Sequence, residues 1–290
     1  LKRDRHMHFL ILAILTSTAI IITFRLLRNF NVSIVQAITV NYLVASVFGF
    51  LSEPGSYDPV QIVNAPWFYL SIIMGLSLII GFNLFALSAQ KAGVAVTAIS
   101  SRMSVVIPVS LGFLIFGDTA GVFKVAGIVT ALLAFYFTSK KDKSIHINQE
   151  YVFLPVILFV AIGANDSLMK VAEHYFITSD FVSFLATSFG FALLFGILVF
   201  LYKNRKNKET VQAKNIIAGV ILGLLNWYST LYTLKGLDVF QVSFFMPMYN
   251  VGVVTLSTIV GFLVFREKLI RTNWIGILLA IIAIILISRG

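Results

Sequence analysis

The sequence predicts an all-α integral membrane protein with ten transmembrane helices, built as a 5+5 inverted repeat. Three observations predict it. Of 290 residues, 59% are hydrophobic and 12% charged, with a mean hydropathy of +0.94; a soluble domain carries about 25% charged residues. Ten apolar stretches approach the roughly 20 residues that a helix needs to cross a hydrocarbon core about 30 Å thick. Finally, part of the chain is written twice. Phe262-Leu263-Val264-Phe265-Arg266-Glu267 repeats Phe113-Leu114-Ile115-Phe116-Gly117-Asp118 at a spacing of 149, which also carries Gly112 onto Gly261 and Gly127 onto Gly276. A looser match of Phe85-Ala86-Leu87 with Tyr232-Thr233-Leu234 falls at 147, a drift that a short insertion explains. Self-similarity at half the chain length marks two copies of one unit.

The first copy, residues 1–138, holds expected spans at 8–27, 33–52, 67–89, 94–116 and 120–138. Span one begins at Phe9, just after Met7, and ends in Arg28-Asn29-Phe30-Asn31. No small-residue cleavage site follows it, so it is read as a retained helix rather than a leader. Glu53-Pro54-Gly55-Ser56 stops span two, and residues 57–66 suit a short interfacial helix. Span three opens at Trp67. Span four carries Arg102 and Pro108 and stops at Gly117-Asp118. Span five runs into the polar linker 139–150, the one run long enough to divide the copies.

The second copy, residues 151–290, holds spans at 151–172, 180–202, 213–234, 239–264 and 272–288. Span six carries Asp166 and Lys170. Lys203-Asn204-Arg205-Lys206-Asn207-Lys208 ends span seven. Span eight contains Gly219 and Gly223, a small-xxx-small face for close helix contact. Span nine contains Pro247, which like Pro108 removes a backbone donor within a span and is read as a kink beside a cavity. Trp67, Tyr69 and Trp274 sit near span ends and suit interfacial anchors. Five crossings per copy force the second copy to enter upside down, about a pseudo-two-fold axis in the membrane plane.

The formal charge is +10, but the basic residues lie in short loops. A nucleic-acid surface would gather them on one soluble face, so no nucleic-acid partner is expected. Loops after odd-numbered spans hold fourteen Lys and Arg. The opposite side holds Lys124, Lys170, Lys235 and Arg289, with Lys2, Arg3 and Arg5 at the N-terminus. The positive-inside rule then puts both termini outside the cytoplasm. Absence of cysteine removes disulfides and thiolate metal sites. There is no His-Glu-x-x-His, Gly-x-Ser-x-Gly or phosphate loop, so no catalytic, cofactor or metal site is expected, nor a self-contained ATP-driven pump.

Arg102 is the sharpest functional signal. An arginine in mid-span costs about 2.5–3.5 kcal/mol on insertion scales and should face the bundle interior or water. Its planar fork of donors suits a carboxylate or phosphate; a structural pair with an acidic residue is the alternative. Asp166 is its natural partner. Lys170 follows at i+4 and shares a helix face with Asp166, so a local pair competes with an Arg102 pair or a proton-coupling role. Glu173, His174 and Asp180 read as solvated loop charges. Asn226, Ser229 and Thr233 fall on one stripe of span eight, which faces protein or water.

Leu225-Asn226-Trp227-Tyr228, Leu234-Lys235-Gly236-Leu237, Phe265-Arg266-Glu267-Lys268-Leu269 and Trp274-Ile275-Gly276-Ile277-Leu278 carry a resemblance. Together they resemble the EamA domain of the drug/metabolite transporter superfamily, over both halves and most strongly over spans three to five and eight to ten. Asp118 stands where that family usually has Glu. The resemblance implies a secondary transporter whose cavity is lined by spans one, three, four, six, eight and nine, with spans five and ten peripheral. It places Asn83, Asn226, Trp227, Tyr228, Tyr249 and Asn250 with Arg102 as substrate-binding candidates. It implies a small-molecule substrate, membrane lipids as surroundings, a monomer or homodimer, and a bacterial inner membrane. Its termini would be cytoplasmic, against the charge count. Export of amino acids or other carboxylate-bearing compounds leads. A cation or drug exporter, or a membrane-embedded lipid-binding protein or enzyme, are the rivals.

Overall fold

A backbone in hydrocarbon must satisfy its own donors and acceptors, and for segments of this length and pattern the helix is the solution. The computed structural model describes residues 2–28, 30, 32–52, 58–91, 94–139, 151, 153–177, 180–207, 210–265 and 270–289. Among them the elements are α1 (Lys2–Arg28), α2 (Ile34–Ser52), α3 (Pro59–Asn64), α4 (Phe68–Lys91), α5 (Val94–Met103) and α6 (Val106–Leu114). These are followed by α7 (Val122–Ser139), α8 (Phe153–Val171), α9 (Phe181–Asn207), α10 (Ala213–Val239), α11 (Val242–Leu263) and α12 (Arg271–Arg289). A π-helical turn, Ala172–Phe176, extends α8. Seven helices among the described residues are long and apolar enough to cross a membrane, and three shorter stretches are apolar as well. The protein is an integral membrane protein. Glu53-Pro54-Gly55-Ser56, most of the 139–150 linker and Arg266-Glu267-Lys268-Leu269 lie outside the described residues.

Four expectations need correction. Span four is two helices, α5 and α6, rather than one. The turn expected after residue 234 comes later, because α10 continues to Val239. Gly236 does not end that helix. It lies where a side chain would meet the ring of Phe245, so its smallness serves packing. Trp67 is 3% exposed and stacks edge-on against Phe184, whereas Tyr69 and Trp274 are exposed as anchors should be. Glu173 is buried within the π turn rather than solvated. The short helix expected over 57–66 is present as α3, with Asp58 Oδ1 accepting from the Val60 N–H at 2.9 Å.

The helices fall into two compact units. One comprises Leu1–Ile14, Ile80–Lys170 and Gly236–Gly290; the other comprises Leu15–Ile79 and Val171–Lys235. Each unit draws on both sequence copies. In the first, α7 packs on α12, and α11 packs on α6, α7 and α12. Phe135, Ala131, Ala134, Ala280, Ala283 and Ile287 are buried in this unit. In the second, α2 packs on α9. The Gly219/Gly223 face does permit close contact there: a side chain at Gly223 would meet the Asn41 carbonyl oxygen at 2.7 Å, and one at Gly219 would meet Val40.

Candidate functional site

The break in span four places the cation. Proline has no N–H, so Pro108 cannot donate to the Ser104 carbonyl one turn back. Ile107 N–H takes that carbonyl instead, at 2.9 Å, and the Val105 N–H reaches Arg102 O only at 3.5 Å. Ser104 Oγ donates to Ser101 O at 2.6 Å, closing α5. Pro108 then sits in the first turn of α6, where a missing donor costs little. The chain therefore breaks four residues before the proline that causes it. Pro247 has no such effect, and α11 runs through it.

Arg102 lies on the last turn of α5, where the helix dipole favours a positive charge. Its Nη1 donates to Asn250 Oδ1 on α11 at 3.1 Å. Asn250 is buried, and its Nδ2 donates to Met246 O at 3.0 Å, which fixes the oxygen toward the guanidinium. Asp166 on α8 is half-buried and belongs to the same unit. Asn165 precedes it on the same helix, and its Oδ1 is buried and accepts no hydrogen bond. Arg102 and Asn250 thus join α5 to α11, with the polar pair Asn165 and Asp166 on α8 of the same unit.

On the same helix as Asp166, Lys170 reaches a neighbouring helix end. Lys170 is buried, donates to Leu237 O at 2.9 Å in the last turn of α10, and lies over the Phe116 ring. A cation at a helix C-terminus satisfies an orphan carbonyl and suits the dipole. Nearby in sequence, α11 begins on a second set of contacts. Asp118 Oδ2 accepts from Ser243 N–H at 2.7 Å, and buried Lys124 Nζ donates to Gln241 Oε1 at 2.6 Å and Thr119 Oγ1 at 3.0 Å. Tyr249, next to Asn250, stacks on Phe245 at 6.1 Å. Asn83 is half-buried on α4.

The remaining candidates belong to the other unit. Asn226 Nδ2 donates to Asn41 Oδ1 at 3.3 Å, Ser229 and Ser17 share a 2.5 Å hydrogen bond, and Thr233 Oγ1 donates to Ser229 O. The polar stripe is engaged by α1 and α2. Trp227 is 1% exposed and fills the space above Gly49, whose added side chain would meet it at 2.6 Å. Tyr228 is exposed, with Phe48 and Tyr232 as ring neighbours. Sequence reasoning did not single out Asn165 or Asn41. Both were amides inside otherwise apolar spans, and that signal was available.

Comparison with known proteins places these features. Residues 150–289 match the EamA-like transporter family. Over 289 residues the chain is 28% identical to an uncharacterised protein of Haemophilus influenzae, covering 96% of each chain. A solved protein crystal structure with 14% identity aligns at a TM-score of 0.78 over 99% of this chain and 98% of that one. At that identity the likeness shows the fold alone.

Proposed function

We propose, from the match of residues 150–289 to the EamA-like transporter family, a ten-helix secondary transporter that exports small carboxylate-bearing metabolites. Amino acids are included in that class. The single observation that carries the substrate reading is the Arg102 guanidinium. Among the described residues its side chain makes one hydrogen bond, to Asn250, out of a five-donor fork. The rest of the fork is available to a planar anion.

The inverted-repeat reading draws support from which helices touch. Ile34 and Phe181, which begin the packed pair α2 and α9, are 147 residues apart. Val122 and Arg271, which begin the packed pair α7 and α12, are 149 apart. Arg102 and Asn250 meet at a separation of 148. Helices at the repeat spacing are therefore neighbours, as expected around a pseudo-two-fold axis. A discontinuous span beside the charged residue is the usual construction of a midplane transporter site, which alternating access exposes to each face in turn. The full-length bacterial relative supports a bacterial inner-membrane setting.

The test is thermal stability of the purified chain in detergent against L-glutamate, L-leucine, L-phenylalanine, acetate and tetraethylammonium. A ligand at a hundredfold its Kd stabilises the native state by about 2.7 kcal/mol. Carboxylate-bearing compounds should stabilise the wild type, and Arg102→Gln should abolish that gain while leaving a folded protein. Unchanged affinity in folded Arg102→Gln removes the anion site. Stabilisation by tetraethylammonium alone reverses the assignment and makes Asp166 the anchor.

A further inference from the structure

We infer that Gly163 on α8 is a positioning residue for Arg102: the missing side chain there seats Ile107, and so fixes the break that leaves Arg102 within reach of Asn250. The inference rests on the reading of Arg102 as the carboxylate anchor, but its geometry can be tested without a ligand.

The α5–α6 junction is closed by one backbone donor. Ile107 N–H takes the Ser104 carbonyl that Pro108 cannot, at 2.9 Å. The position of Ile107 therefore sets where α5 stops, with Arg102 on its last turn. The same residue meets α8 at buried Gly163. A methyl group on Gly163 would lie 2.8 Å from Ile107 Cβ and 2.9 Å from its Cγ1, whereas carbon atoms in contact settle about 3.5–4.0 Å apart. The Cβ contact is the decisive one. Cγ1 and Cδ1 can swing away by rotation about χ1, stiff as that is in a β-branched side chain, but Cβ moves only with the backbone. Glycine at 163 is required by where the backbone of Ile107 lies, whatever its rotamer.

Nor can α6 retreat as a whole. Further along it and well round the helix from Ile107, a methyl group at Gly112 would meet Val242 of α11 and lie 2.7 Å from Asp118 Oδ2. Val242 is fully buried, and Asp118 is engaged with the Ser243 N–H. Thus α8 closes on one end of α6 and α11 on the other, with a glycine at each contact. Interiors packed this closely pass a displacement on rather than absorb it. The compliant part is the junction, where the Val105 N–H reaches Arg102 O only at 3.5 Å. A side chain at 163 would push the Ile107 N–H off the Ser104 carbonyl and carry the end of α5 with it. The 3.1 Å hydrogen bond from Arg102 to Asn250 would then open.

The test uses the purified full chain and begins without ligand. Coupling between Arg102 and Asn250 is read as the non-additivity of Arg102→Met and Asn250→Leu in unfolding free energy. It should be present in the wild-type background and absent with Gly163→Ala. Pairing Gly163→Ala with Ile107→Gly, which exchanges bump and hole, should bring it back; Ile107→Ala, which keeps Cβ, should rescue less. Whichever of L-glutamate, L-leucine, L-phenylalanine and acetate stabilises the wild type should bind Gly163→Ala about tenfold or more weakly and recover in the exchanged pair. Coupling absent from the wild type overturns the positioning role. So does coupling, or Arg102-dependent ligand affinity, that survives unchanged in folded Gly163→Ala, and so does a loss that Ile107→Gly leaves uncorrected. Should Gly163→Ala not fold, the exchanged pair decides: folded with coupling restored it supports the role, and unfolded or uncoupled it overturns it. Carboxylate binding that is absent, or indifferent to Arg102→Gln, removes the anchor instead, and the ligand-free coupling still decides what Gly163 does.

Discussion

Removing the Asp118 carboxylate should loosen the start of α11 by a definable amount. At the end of α6, Gly117 takes a positive φ of 68° and Asp118 N–H closes back on Gly112 O at 3.0 Å. The closure spans the seven residues from Gly112 to Asp118, and glycine adopts the positive-φ backbone it needs at little cost. The turn delivers Asp118 Oδ2 to Ser243 N–H at 2.7 Å, although 125 residues separate them. Ser243 lies in the first turn of α11, where no intrahelical acceptor exists, and the preceding Gln241 makes no side-chain cap. Asp118 is therefore a cap supplied from a distant loop. Asp118→Ala leaves a fully buried N–H unpaired, at a cost of about 1–3 kcal/mol. The range for losing a helix cap, about 0.5–2 kcal/mol, describes the same bond and is not added. A loss near 2 kcal/mol is expected. Asp118→Asn keeps an acceptor and forgoes the charge–dipole term, about 0.3–1 kcal/mol. Unfolding free energies in mixed detergent–SDS micelles should rank wild type above Asp118→Asn above Asp118→Ala. An Asp118→Ala protein within about 0.5 kcal/mol of wild type would refute the cap, given the expected range. Equal losses in the two variants would assign the effect to charge rather than to the hydrogen bond.

Two further substitutions separate binding from packing. Pro108→Ala restores an N–H able to reach Ser104 O and should join α5 to α6, raising stability by about 1 kcal/mol or less because the proline already sits in a first turn. Redirecting Arg102 should meanwhile weaken stabilisation by carboxylate ligands; unchanged affinity would show that the break does not position the site. Ser229→Ala removes the hydrogen bond to Ser17 and should cost about 0.6 kcal/mol, the average for such contacts between membrane helices. Ligand affinity should not change, and a fall of about tenfold or more, worth about 1.4 kcal/mol, would make the stripe on α10 a binding surface.

Most helices were legible because a membrane span is written as uninterrupted apolar sequence, and charged loops such as 203–208 punctuate it. The break after Met103 was not, because a proline acts on the carbonyl a turn before it and its own position gives no sign of which neighbour will fill the gap. The extension of α10 past Gly236 was not legible for a related reason. Glycine ends helices and also permits close packing, and only the ring of Phe245 decides between the two. Of the site, Arg102 and Asp166 were conspicuous because charge is expensive in a span. The contact of Lys170 with the Leu237 carbonyl was not, since its long side chain reaches across to α10. Trp227 carried the composition of a binding residue and occupies a packed position.

The repeat spacing also bears on why the cluster is asymmetric. The counterpart of Arg102 at a spacing of 149 is Val251, and the counterpart of Asn250 is Ser101. Under the proposed inverted repeat, counterparts that lie near the pseudo-two-fold axis would be close together, so a charge written there in both copies would face itself. Two like charges about 4 Å apart repel by about 4 kcal/mol at an effective dielectric of 20. The two copies can share a backbone plan, as the packed pairs α2–α9 and α7–α12 suggest, but they cannot share this residue. Buried Val251 and the amide of Asn250 relieve that conflict: one copy supplies the cation and the other a neutral acceptor that holds it. If the proposed inverted repeat holds, a Val251→Arg variant would reinstate the repulsion, and divergence at this pair follows from placing a charged site near that axis.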